Sequence, residues 1–72
     1  MNTTHQLDFC AAEERARDMT ERELGAALAD ILMTLPQADA WDRELGGDRG
    51  GRYRDEASVY HAELARRAGR AS

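Results

Sequence analysis

The sequence predicts a small all-α protein, a helical hairpin or bundle of three to four helices that forms one domain over residues 1–72. Three observations support this prediction. Apolar residues recur at spacings of three and four, as on one face of a helix. Capping and stop residues divide these runs, and the alternating apolar and polar pattern of a strand does not occur.

The first helix is expected over residues 8–18. Ala12 and Ala16 lie four positions apart, and Asp8 stands where an N-cap belongs. Residues 1–6 are polar and lack periodicity, so we expect a disordered terminus there.

The strongest local signal begins the second helix, expected over residues 21–34. Thr20 and Glu23 form a capping box, in which each side chain accepts a hydrogen bond from the other residue's backbone amide. An apolar stripe at helical spacing follows, made of Leu24, Ala27, Leu28, Ile31, Leu32 and Leu35.

Pro36 should end or bend this helix because it has no amide hydrogen to donate. Thr34 and Gln37 resemble a second capping box, and Gly46 is a typical stop. A short third helix is therefore expected over residues 36–45.

Residues 46–51 contain four glycines and predict a flexible hinge loop. Beyond it, Tyr53, Tyr60 and Leu64 share a helical face, which predicts a fourth helix over residues 52–68 that ends at Gly69. Large apolar side chains on the second to fourth helices should form the core: Leu24, Leu28, Ile31, Leu32, Leu35, Trp41, Leu45, Tyr53, Tyr60 and Leu64.

Composition favours a soluble cytoplasmic protein. The single cysteine, Cys10, cannot form an internal disulfide, no signal segment opens the chain, and the longest apolar stretch is too short to span a bilayer. We expect Cys10 to be a small buried apolar side chain rather than a nucleophile.

Catalytic, cofactor and metal sites are not predicted. His5, Cys10 and His61 lack the spacing of a metal site, and Ser58 beside His61 lacks an orienting acid. The glycine-rich segment has no P-loop pattern and contains Asp48 where an anion would bind. Asp39 and Asp42 are expected on a solvated helix face. We therefore expect a protein that is not an enzyme.

The charge distribution gives two kinds of candidate contact residue. The net charge is −4, yet residues 1–48 hold eleven acidic residues and four arginines, whereas residues 49–72 hold three acidic residues and six arginines. The predicted partner-binding residues are the acidic Glu13, Glu14, Asp18, Glu21 and Glu23, the aromatic Trp41 and Tyr53, and the basic Arg49, Arg52 and Arg54.

In its small size, its acidity and its lack of motifs, the chain resembles the short accessory proteins of bacteriophages, including anti-CRISPR proteins. The resemblance is to the kind of protein, so it transfers no functional residue. It implies a non-enzymatic inhibitor that binds and blocks a larger bacterial protein complex in the host cytoplasm.

The apolar side chains left over from the predicted core indicate that the protein also pairs with itself as a homodimer. The alternative is a small nucleic-acid-associated regulator that contacts phosphates through Arg49, Arg52 and Arg54, with Tyr53 among them.

Overall fold

Helices make up nearly all of the computed structural model, which describes residues 8–71 and the side chains of residues 8–69. In chain order they are α1 (Phe9–Asp18), α2 (Glu21–Leu45) and α3 (Arg49–Ala71). No strand occurs among the described residues, so the predicted all-α class is confirmed. The predicted disordered terminus and His5 lie outside the described residues.

The first two helices begin at the predicted caps. The Asp8 carboxylate accepts a hydrogen bond from the amide of Ala11 at 3.1 Å. At the start of α2, the Thr20 hydroxyl accepts from the Glu23 amide at 3.0 Å and the Glu23 carboxylate accepts from the Thr20 amide at 2.8 Å. These local contacts satisfy amides that have no partner within the helix.

The predicted end of the helix at Pro36 is wrong, because α2 continues through it, and the predicted third helix over residues 36–45 is the second half of α2. Thr34 does not cap a new helix; its hydroxyl donates to the carbonyl of Asp30 at 2.8 Å, within the same helix. Pro36 removes one hydrogen bond, to the carbonyl of Leu32, and both residues are exposed in the single chain, so water can replace that bond there.

The predicted hinge is also shorter than expected. The loop between α2 and α3 covers only residues 46–48, and the second pair of glycines lies in the first turn of α3. The helix therefore begins at Arg49 rather than at residue 52. It also continues past Gly69, which had been predicted to end it.

Helix α3 joins the other two helices, since it packs against both α1 and α2. The buried cluster comprises Ala12, Ala16, Leu24, Leu28, Ile31, Val59 and Tyr60. Three residues predicted for the core, Leu32, Trp41 and Leu45, are exposed instead. The reason is the flat arrangement of the helices, whose extents of 45 × 28 × 15 Å leave little depth for a core.

No helix in the described part of the chain has the length and apolarity needed to cross a membrane.

The side chain of Arg67 joins α3 to the end of α1. Its Nη2 donates to the carbonyls of Ala16, Arg17 and Met19 at 3.0, 3.2 and 2.6 Å, at the C-terminal end of α1. The carbonyl of Ala16 also accepts from the amide of Met19 at 3.2 Å, and the guanidinium adds a cap from a distant helix to all three carbonyls. Since the buried side of α1 consists of Ala12 and Ala16, this polar contact is a major part of its attachment.

Glu63 holds Arg67 in place. Its carboxylate, on a buried residue, accepts from Arg66 Nη2 at 2.5 Å and from Arg67 Nε at 2.7 Å. The hydrogen bonds from Arg66 and then from Arg67 lower the pKa of Glu63 from 4.5 to about 2.

Stability should therefore depend on pH in acid. A carboxyl whose pKa is lower in the folded state stabilises that state at pH values above its unfolded pKa, and protonation removes this stabilisation. The contribution of Glu63 should be complete above pH 4.5 and should be lost as the pH falls towards about 2. Urea midpoints measured across this range should fall with pH in the native protein.

The variant Glu63→Gln should flatten this acid dependence, since it removes the titrating group. The exposed Glu14→Gln serves as the matched control and should keep the native slope. Identical slopes in the two variants would show that Glu63 is not responsible.

Candidate functional site

A groove of about 330 Å³ runs between the second half of α2 and the first turns of α3. We call it the Trp41 groove, and its lining residues are Thr34, Ala38, Trp41, Asp48, Arg49, Arg52, Tyr53 and Glu56. Four of the predicted partner-binding residues, Trp41, Arg49, Arg52 and Tyr53, thus meet in one place, although they come from two helices.

The turn between α2 and α3 sets the width of this groove. Gly46 and Gly47 have φ angles of +80° and +103°, in the region that favours glycine. The carboxylate of Asp42 then accepts hydrogen bonds from the amides of Arg49 and Gly50, each at 2.9 Å. The side chain of Arg49 donates to Asp42 at 3.2 Å and to the carbonyl of Gly46 at 2.8 Å.

Asp42 is thus a cap for α3, and the prediction that it lies on a solvated helix face is wrong. The amide of Gly50 is the largest cause of a lowered pKa for Asp42, followed in the same direction by the amide and side chain of Arg49, against an opposing effect of burial. The carboxylate therefore remains charged beside the positive end of the α3 dipole.

The second pair of glycines makes room for carboxylates. A Cβ atom at Gly50 would collide with the carboxylate of Asp39, and one at Gly51 would collide with that of Asp48. Asp48 also accepts from the Gly51 amide at 3.2 Å. The start of α3, the kind of helix end that binds phosphates, is therefore occupied by carboxylates of the chain itself.

The basic cluster is largely neutralised by pairing. Arg49 forms an ion pair with Asp42 at 3.2 Å, and Arg54 forms one with Asp39 at 2.7 Å. Arg52 lines the groove and makes no ion pair with any side chain in residues 8–69. One of the three predicted arginines is thus available to an outside carboxylate or phosphate.

Two aromatic side chains, Trp41 and Tyr53, line the groove. Trp41 is 47% exposed, and Tyr53 is half-buried against the core. Beneath them, the hydroxyl of the buried Tyr60 donates to Glu56 at 2.6 Å. Burial first, and then Glu56, raise the pKa of Tyr60, so this hydroxyl stays protonated and fixes Glu56 at the edge of the groove.

The predicted acidic residues do not lie together in this way. Glu13 lines a smaller groove of about 200 Å³ between α1 and α3, beside Arg17 and Arg66. Glu14 is exposed and follows Glu13 directly, so it points about 100° away around the helix. Asp18, Glu21 and Glu23 are exposed at the adjoining ends of α1 and α2, where Glu23 completes the capping box.

The side chains considered for chemistry lie apart from the Trp41 groove. The Ser58 hydroxyl donates to the carbonyl of Asp55 at 2.7 Å, and His61 is exposed on α3. Cys10 is exposed, so its predicted burial is wrong. Within residues 8–71, no group of three or more histidine, cysteine, aspartate or glutamate side chains is placed to hold a metal ion.

Sequence reasoning missed the pairing of Asp39 and Asp42 with α3. The signal that could have found it is the combination of acidic residues spaced three apart before a turn and glycines directly after it, since such glycines allow carboxylates to approach a helix start. Comparison of the chain with models of protein families, with curated proteins and with solved structures finds no match.

Proposed function

We propose that this protein is a non-enzymatic binding module that contacts another protein through the Trp41 groove. The observation that carries the proposal is the position of Trp41, Tyr53 and Arg52 along one groove. Tryptophan, tyrosine and arginine are the residue types that contribute most to binding at protein interfaces.

The charges of the groove indicate the kind of segment that it would accept. Trp41 and Tyr53 offer aromatic surface, and Arg52 offers a guanidinium that forms no ion pair within the described side chains. Asp48 and Glu56 add negative charge on the same lining. A protein segment that places an apolar side chain over the aromatics and a carboxylate on Arg52 fits this pattern.

The same charges disfavour the alternative of nucleic-acid binding. Asp42 and Asp39 offset the charges of Arg49 and Arg54 and so weaken their attraction for phosphates. Asp48 and Glu56 would repel a phosphate backbone, with its repeated charges, more strongly than a single carboxylate.

In its most specific form, the proposal is a phage-type inhibitor that occupies the working surface of a bacterial complex. Its support is the small size and the net charge of −4, which the chain shares with the short phage proteins that it resembles.

A photo-crosslinking amino acid at position 41 tests the proposal in nuclease-treated bacterial lysate. Position 9 is the matched control, because Phe9 is also aromatic and, at 46%, equally exposed, but lies on α1. We expect a protein adduct at position 41 and none of the same mass at position 9. Arg52→Ala should reduce the adduct by about tenfold, the loss of one charged hydrogen bond.

Two results would contradict this function. Equal adducts at both positions would show that the groove is not selective. Recovery of nucleic acid in the absence of nuclease, with binding that falls steeply as salt rises, would favour the nucleic-acid alternative instead.

A further inference from the structure

The side of α2 that faces away from the core is apolar over most of its length, and no other described helix covers it. We call it the α2 outer strip. Its residues recur at spacings of three and four and are Gly25, Ala29, Leu32, Met33, Pro36 and Ala40. Leu32 and Met33, at its centre, are 65% and 80% exposed.

Helix α2 is therefore apolar on two sides. Its inner side carries the buried Leu24, Leu28, Ile31 and Ala38. Between Leu24 and Ala38 the only charged residue is Asp30, which lies one turn before Met33 at the edge of the strip. A helix that is apolar all round is normally covered on all sides.

The shape of the molecule leaves the outer side of α2 without a cover. The extents are 45 × 28 × 15 Å, and the radius of gyration is 13.6 Å, whereas a compact domain of 72 residues would have about 11 Å. Helix α3 packs against one side of α2, and α1 packs mainly against α3.

We propose that the α2 outer strip is the interface of a homodimer in which the α2 helices of two copies pack antiparallel. A two-fold interface requires a surface that is complementary to itself. The strip meets this requirement about the midpoint between Leu32 and Met33. There Leu32 faces Met33 of the second copy, Ala29 faces Pro36, and Gly25 faces Ala40.

The charged ends of the strip agree with the same register. Glu21 and Arg22 stand at one end, and Arg43 and Glu44 stand at the other. All four are exposed. In this register Glu21 comes level with Glu44 of the second copy and Arg22 with Arg43, so each end holds two acidic and two basic side chains and gains no net charge. A parallel arrangement would instead place each of these residues beside the same residue of the second copy.

The small residues of the strip favour a helix as the occupant. Gly25, Ala29 and Ala40 have little or no side chain, so a second helix axis can approach to about 8–10 Å. The Trp41 groove lies on another side of α2 and stays open in this dimer. The homodimer is therefore independent of the proposed function, and either can fail without the other.

The mass in solution tests the dimer directly. Sedimentation of the full chain across a range of concentrations should show conversion from 8.0 kDa to twice that mass. Met33→Glu should weaken the dimer by about 100-fold or more, because it brings two charges together in an apolar contact. Leu45→Glu is the matched control, since Leu45 is an exposed residue of α2 outside the strip, and should leave the dimer unchanged.

Cysteine crosslinking tests the register in a Cys10→Ser background. Leu32→Cys should form an intermolecular disulfide near the two-fold axis. Gly25→Cys alone should not, because the two copies of position 25 lie roughly 20 Å apart in the antiparallel arrangement. Gly25→Cys together with Ala40→Cys should crosslink.

Each contrary result has a definite meaning. A mass of 8.0 kDa at millimolar concentration would overturn the dimer. A dimer that Met33→Glu leaves intact, while circular dichroism shows native helix content, would overturn the interface. Efficient crosslinking by Gly25→Cys alone would overturn the antiparallel register.

Discussion

Leu24→Ala should destabilise the protein by about 2–5 kcal/mol, the range for removing a leucine side chain from a packed core. Leu24 is 0% exposed and is the largest side chain that is fully buried among the described residues. A chain of 72 residues has a total stability of about 4–11 kcal/mol. Urea unfolding followed by circular dichroism should show a large fall in midpoint.

The matched control for this substitution is Leu45→Ala in the same helix. Leu45 is 70% exposed, so its truncation leaves no cavity and should change stability by about 0.5 kcal/mol or less. Both variants should be measured at one protein concentration, because self-association would add to the apparent stability. Equal losses in the two variants would show that Leu24 does not anchor the core.

Local contacts in this fold could be predicted from the sequence. Asp8 caps α1, and Thr20 with Glu23 caps α2, because each of these contacts joins residues three positions apart. Their geometry depends on the chain immediately around them and on nothing else in the fold.

Contacts between distant residues could not be predicted. The cap that Asp42 gives to α3 depends on the path of the turn, and the contact from Arg67 to the end of α1 joins residues about fifty positions apart. The prediction that the helix would end at Pro36 failed for a related reason. Whether a missing amide hydrogen matters depends on what surrounds the orphaned carbonyl, and here both Pro36 and Leu32 are exposed.

The candidate site, too, could be predicted from the sequence only in part. The sequence singled out Trp41 and the cluster of Arg49, Arg52 and Arg54 as separate features. Only the turn between α2 and α3 brings Trp41 beside Arg49 and Arg52, and only the partners Asp42 and Asp39 show which arginines are already paired. For α2, periodicity identified an apolar helix but not that its outer side remains exposed.

Arg67→Ala should release α1 from α3. The substitution removes the hydrogen bonds to three carbonyls at the end of α1, and a hydrogen bond from a charged group contributes about 1.5–3 kcal/mol. The alanines on the buried side of α1 offer little apolar area to compensate. Amide hydrogen exchange should therefore rise throughout α1, while the central turns of α2 and α3 remain protected.

Arg66→Ala separates the loss of this cap from the loss of an ion pair. Arg66 and Arg67 both bind the carboxylate of Glu63, but only Arg67 donates hydrogen bonds to the carbonyls at the end of α1. Since Arg66 is the more exposed of the two, its removal should cost about 1 kcal/mol or less and should leave exchange in α1 nearly unchanged. If both variants accelerated exchange in α1 equally, the cluster around Glu63 as a whole, rather than the capping contact of Arg67, would hold α1 in place.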